Sequence, residues 1–231
     1  GANLDKAGDT VNTAMKLSQT QKTLSRPSAA GTADAETKSV TQYLGALGDE
    51  QSDVTIKYAG TTPIDYTYYY YGVAKARAGD TVNTAMALSQ TQKVAGRPVA
   101  EAITDDTKSI TYYKNPVGDE QSDYTAKYAN SAIVDYTAYY YDVLGTATRA
   151  GETTVNKRMS LSHTTKTAIA AGFAAEANTK SITSYAGSVG DEQSDITIKY
   201  AGLTPIDYTY YYYGANLDKA GDTVNTAMKL S

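Results

Sequence analysis

The sequence predicts an all-β tandem repeat, about 70 residues and four short strands to the unit. Three observations predict it. The acidic hexapeptide Gly48-Asp49-Glu50-Gln51-Ser52-Asp53 returns at Gly118–Asp123 and at Gly190–Asp195, offsets of 70 and 72 residues. Behind each copy, apolar and polar residues alternate with a period of two, the mark of a strand with one protected face. The composition is rich in Thr, Tyr, Val and Ile, residues that suit a pleated surface better than a helix.

The repeat divides the chain into unit A (1–71), unit B (72–141) and unit C (142–213), with 214–231 opening a further copy of A. Gly214–Ser231 repeats Gly1–Ser18 residue for residue, so the pattern has a higher-order period of 213 residues and reads as a window on a longer array.

Each unit opens with a turn-like Ala7-Gly8-Asp9, Ala78-Gly79-Asp80 or Ala150-Gly151-Glu152. Val11, Thr13, Met15 and Leu17 then alternate with polar neighbours as a half-buried strand would. The same letters also fit a helix capped by Asp9 or Thr10, so an all-α helical repeat stands as the alternative. The next stretch differs in length and content between units (Arg26-Pro27-Ser28, Gly96-Arg97-Pro98, Ala170-Ala171-Gly172) and reads as an exposed loop without fixed geometry. A second strand is expected at Lys38–Tyr43, Lys108–Tyr113 and Lys180–Tyr185. The third is the clearest: Val54, Ile56 and Tyr58 alternate with Thr55 and Lys57, as do their counterparts from Tyr124 and Ile196.

A tyrosine run closes each unit: Tyr66, Tyr68, Tyr69, Tyr70 and Tyr71; Tyr136, Tyr139, Tyr140 and Tyr141; Tyr208, Tyr210, Tyr211, Tyr212 and Tyr213. As a strand it would carry rings on both faces. Thr62-Pro63-Ile64-Asp65 also resembles a helix start, but unit B keeps its tyrosines without that cap, which favours the strand.

Composition also bounds function. Leu, Ile, Val and Phe total 35 of 231 residues, while tyrosine alone supplies 22. Tyrosine must therefore provide core volume, and each hydroxyl needs a partner or water. These rings are the expected packing or interface residues between neighbouring units. The net charge of −4 gives no basic face for nucleic acid, and no apolar run is long enough for a membrane helix. Cysteine is absent, which removes thiol chemistry and disulfides.

Few residues suggest chemistry. The acids Asp49, Glu50 and Asp53, with Asp119, Glu120 and Asp123 and with Asp191, Glu192 and Asp195, offer hard oxygen ligands to a structural Ca²⁺. Their spacing fits no EF-hand loop, and a solvated turn, with Asp and Ser bonding their own backbone, explains them without an ion and is the favoured reading. His163 is the sole histidine; unit A has Gln19 and unit B Gln90 in its place, and no nucleophile elbow accompanies it, so it reads as a surface residue. No catalytic or cofactor-binding set emerges.

Ala-Gly-Asp-Thr-Val and Val-Thr-Ile-Lys-Tyr resemble stretches of extracellular β-sandwich repeats. The resemblance implies an extracellular or cell-surface setting and carries no site residue. The expectation is a structural protein building a fibre, filament or stalk, its partner other copies of itself. The alternative is an adhesin-like module presenting tyrosine-lined surfaces to glycans or a partner protein.

Overall fold

In the computed structural model, residues 13–27, 29–222 and 228–230 are described. The chain is all-β. Apart from a 3-10 turn at Glu152–Thr154, the regular structure among these residues is strand, and no helix is long and apolar enough to cross a membrane. The chain forms two compact units: Gly1–Ile110 with Ala129–Ser131, and Thr111–Tyr128 with Ala132–Ser231.

Unit 1 holds β1 (Leu17–Gln21), β2 (Thr37–Leu44), β3 (Gln51–Ala59), β4 (Thr62–Tyr71), β5 (Ala76–Arg77) and β6 (Met86–Gln92). The division falls inside β7 (Thr107–Lys114). Unit 2 continues with β8 (Gln121–Ala129), β9 (Ala132–Val143), β10 (Thr146–Arg149), β11 (Met159–Thr165), β12 (Thr179–Ala186), β13 (Gln193–Ala201) and β14 (Thr204–Tyr210). Three short strands follow: β15 (Tyr212–Tyr213), β16 (Asp218–Lys219) and β17 (Met228–Leu230).

In each unit the strands form an antiparallel meander. The order is β1-β2-β3-β4-β6 in unit 1 and β9-β11-β12-β13-β14 in unit 2, with β5 on β4 and β10 on β9. A second sheet runs β16-β15-β17. The connection from β3 to β4 is the two-residue turn Gly60-Thr61, with φ +62° at glycine, where a turn matching the strand twist demands a left-handed residue.

Residues paired across antiparallel strands share a face. Val40↔Ile56↔Tyr66 and Val54↔Tyr68↔Gln90 therefore line one face of unit 1, with Tyr70↔Leu88 beside them. This face holds the core: Val40, Leu88 and Tyr70 are 2%, 0% and 3% exposed. The opposite face carries Thr41↔Thr55↔Thr67↔Thr91 and the rings of Tyr69 and Tyr71.

Two expectations need correction, and the helical alternative for the tyrosine run falls away. The first element starts later than its alternation suggests: its second copy begins at Met86, and Val82 before it is 69% exposed, because Asn83 adopts φ +47° and turns the chain. Val11 lies outside the described residues. The helix-like Pro63 instead sits at the start of β4 opposite Tyr58, beside a register irregularity that accommodates a residue lacking an N–H. The proline loop between β6 and β7 has fixed geometry, since it folds over the core face and bonds to it.

Candidate interaction surface

The tyrosine run lies on β4 in unit 1 and on β9 in unit 2, and period-two alternation sends its rings to both faces. On the core face, Tyr68 accepts a hydrogen bond from the Gly96 amide at 2.8 Å, and Tyr70 donates to the Pro98 carbonyl at 2.7 Å. Arg97, from the same loop, lies 5.0 Å from the Tyr68 ring centroid and 5.3 Å from that of Tyr70, a cation–π sandwich. It donates to the Asp53 and Tyr69 carbonyls at 2.7 and 3.0 Å and pairs with the Asp53 carboxylate. On β9, Tyr140 donates to the Ala170 and Gly172 carbonyls at 3.1 and 3.0 Å. Tyr66 and Tyr136 are half-buried on their strands.

The other face is a ladder of hydroxyls. Thr41 and Thr55 meet at 2.8 Å, Thr55 and Tyr69 at 2.9 Å, and Thr67 and Thr91 at 2.9 Å. Unit 2 repeats the motif with Thr125–Tyr139 at 3.1 Å, Thr137–Thr164 at 2.9 Å and Thr197–Tyr211 at 3.0 Å. Tyr71, Tyr141 and Tyr213 donate to the carbonyls of Ser52, Ser122 and Ser194 at 2.8, 3.0 and 2.8 Å. Burial of these phenols raises the pKa of Tyr69, Tyr70, Tyr140, Tyr141 and Tyr213 above the ordinary value.

The third run is different. Tyr208 and Tyr210 are 52% and 50% exposed, whereas Tyr68, which holds the place of Tyr210 in unit 1, is 7% exposed beneath β6 and its loop. Tyr212 and Tyr213 are instead paired, opposite Leu230 and Met228 of β17.

The hexapeptide acids do separate jobs. Glu50 accepts from the Gly48 and Met15 amides at 3.0 and 3.1 Å, and the backbone amides around it hold its pKa below the usual value. Glu120 and Glu192 likewise accept from Gly118 and Gly190. Asp49, Asp119 and Asp191 close their turns through backbone amides. Asp53, 2% exposed, faces Arg77 at 2.6 Å as well as Arg97. Asp123 faces Arg149 at 2.6 Å and Lys114 at 3.3 Å. Asp195 is half-buried and makes no ion pair with a described residue. Among the described residues, no group of three or more Asp, Glu, His or Cys is placed to hold a metal ion.

His163 is fully buried, which corrects its reading as a surface residue. Nδ1 lies 2.8 Å from the Gly172 carbonyl, which can only accept, so Nδ1 carries the proton and Nε2 accepts from Thr179 at 2.8 Å. Gln90 does the same work in unit 1, donating to the Ala102 carbonyl at 2.7 Å and accepting from the Glu101 amide at 3.1 Å. Thr37, Thr107 and Thr179, all fully buried, anchor the loop ends. The signal for these loop clamps was a threonine standing before every Lys-Ser pair.

Comparison of the chain with protein-family models, with curated proteins and with solved structures gives no match.

Proposed function

We propose that this chain is a structural protein, a segment of a tandem-repeat array of units of about 70 residues (1–71, 72–141, 142–213) that builds an extracellular fibre, filament or surface stalk by unit-to-unit packing of tyrosine-rich faces. The observation that carries this reading is that the tyrosine strand meets the strand of the next repeat in the same register twice: Tyr68, 7% exposed, lies opposite Gln90 of β6, and Ala138 opposite His163 of β11. Large rings with hydroxyls at their tips gain area and hydrogen bonds together when a further strand arrives. The partner is another copy of the same surface chemistry, and no catalytic step is assigned.

Sedimentation velocity over a hundredfold concentration range, with electron microscopy of the same samples, tests it. Concentration-dependent rods are expected; a monodisperse monomer throughout would sink the reading. The exposed rings of Tyr208 and Tyr210 also favour a second reading, an adhesin-like module on which sugars or a partner protein stack. Glycan-array binding by a monomeric chain would select it.

A further inference from the structure

Unit B departs from the repeat at three linked positions. β2 carries Gln42 and β12 carries Ser184 where β7 has Tyr112, and β3 carries Val54 and β13 carries Ile196 where β8 has Tyr124. On the tyrosine strand the change runs the other way: Tyr68 and Tyr210 are matched by Ala138 of β9. These positions share one rung. Gln42 stands opposite Val54 and Val54 opposite Tyr68, and Ser184 stands opposite Ile196 and Ile196 opposite Tyr210. In units A and C the ring of this rung thus sits on the tyrosine strand, beside an aliphatic side chain. In unit B it has moved one strand over, where the fully buried Ala138 leaves it room.

The consequence is a pair of phenols in contact. The rings of Tyr112 and Tyr124 are stacked, with centroids 4.5 Å apart and planes 18° from parallel. Arg149 lies 5.6 Å from the Tyr124 centroid, and its Nε donates to Asp123 at 2.7 Å, so the guanidinium is anchored against the ring. Both tyrosines are half-buried, held in place by their neighbours and still reachable from solvent. Filling the rung does not require a second phenol, because Gln42 and Ser184 serve beside the same strands in the other two units.

We propose that Tyr112 and Tyr124 form a site of oxidative coupling, at which a haem peroxidase using hydrogen peroxide joins the two rings in a covalent tyrosine–tyrosine cross-link. Each phenol gives up one electron and its hydroxyl proton, which leaves a radical shared between the oxygen and the ring carbons next to the C–O carbon. A carbon–carbon bond forms between one such carbon on each ring, and each of these carbons passes its hydrogen to its own ring's oxygen, restoring both phenols. The two electrons and two protons released reduce one hydrogen peroxide to two waters. In a biaryl the ring centres lie nearly as far apart as these two do, so the bond tilts the rings and leaves the strands where they are. The cross-link ties β7 to β8, in the one unit of the three that has the pair. It rests on the structural reading above and deepens it, as a curing step for a sheet under tension.

The full chain is treated with a haem peroxidase and hydrogen peroxide, then denatured and digested with trypsin. Cleavage after Lys108, Lys114 and Lys127 places the two rings on separate peptides, 109–114 and 115–127. The expected product is these two peptides joined, lighter than their sum by two hydrogen atoms and showing dityrosine fluorescence. Tyr112→Phe and Tyr124→Phe keep a ring in the stack but remove a phenol, and each should abolish the joined peptide. Tyr113→Phe, one residue along and on the other face, should leave it unchanged. Circular dichroism confirms that each variant folds. Coupling only between other tyrosines, or a joined peptide that survives Tyr112→Phe, would overturn the site. Rods that form without this cross-link in the treated chain would end the site and leave the structural reading standing; the cross-link in a chain that stays monomeric at every concentration would do the reverse.

Discussion

Asp53 and Asp195 occupy equivalent places in the repeat and live in different surroundings. Asp53 holds two guanidinium groups from a nearly buried position, while Asp195 has none among the described residues. Asp53→Asn should cost on the order of 1–3 kcal/mol in urea unfolding, because charge-assisted hydrogen bonds are lost and Arg97 loses its counter-charge. Asp195→Asn should cost about 0.5 kcal/mol or less in a dilute monomer. Equal losses at the two sites would refute this account of the loop clamp. His163 permits a sharper comparison. His163→Gln, which installs the residue used at the matching rung of unit 1, should cost less than about 1 kcal/mol, whereas His163→Ala removes the bonds to Thr179 and the Gly172 carbonyl and leaves a cavity, and should cost about 2–4 kcal/mol.

At the scale of the strand, the phenols set a ceiling on pH. Their folded-state pKa values are raised by burial above the unfolded value near 10, so the folded chain holds these protons more tightly than the unfolded one. Stability should be intact below about pH 10 and fall as pH rises through the folded-state values. A melting temperature that stays flat from about pH 9 to about pH 12 would contradict this. At the hairpin end of β2, Gly45 has φ +117°, and a β-carbon there would lie 2.3 Å from the Asp49 carbonyl oxygen. Gly45→Ala should therefore cost roughly 1–3 kcal/mol by chemical denaturation, a backbone penalty with no lost contact.

The strands were legible in the sequence because period-two alternation is a local property: Val54, Ile56 and Tyr58 carry it on their own. The tyrosine run was legible as strand, since its rings recur without the proline cap. The clamps were not. Arg97, Gln90 and His163 look like loop or surface residues in one dimension, and only the fold-back of the loop onto β4 and β9 buries Gln90 and His163 and half-buries Arg97. Likewise the hexapeptide reads as one acidic cluster, yet Glu50 turns to backbone amides and Asp53 to guanidinium groups, because neighbours in a strand point to opposite faces and the turn rotates the rest.

For the molecule as a whole, the segment 214–231 is the part whose loss is most informative. In unit 2 the Gly221 amide donates to Gln193 at 3.1 Å, Ala220 is buried, and β17 pairs with β15. Deleting 214–231 should speed proteolysis within Gln193–Ala201 and lower the melting temperature, with unit 1 unaffected; unchanged cleavage there would show that the segment supports nothing. In the meander, each long strand of a unit bonds to the one made just before it, so nothing a newly emerged strand needs is still waiting to be synthesised. Such a chain can set progressively from its N-terminal side while still on the ribosome, like a zip drawn shut in the direction of travel, and its folding time should grow with the number of rungs and not with the distance between its ends.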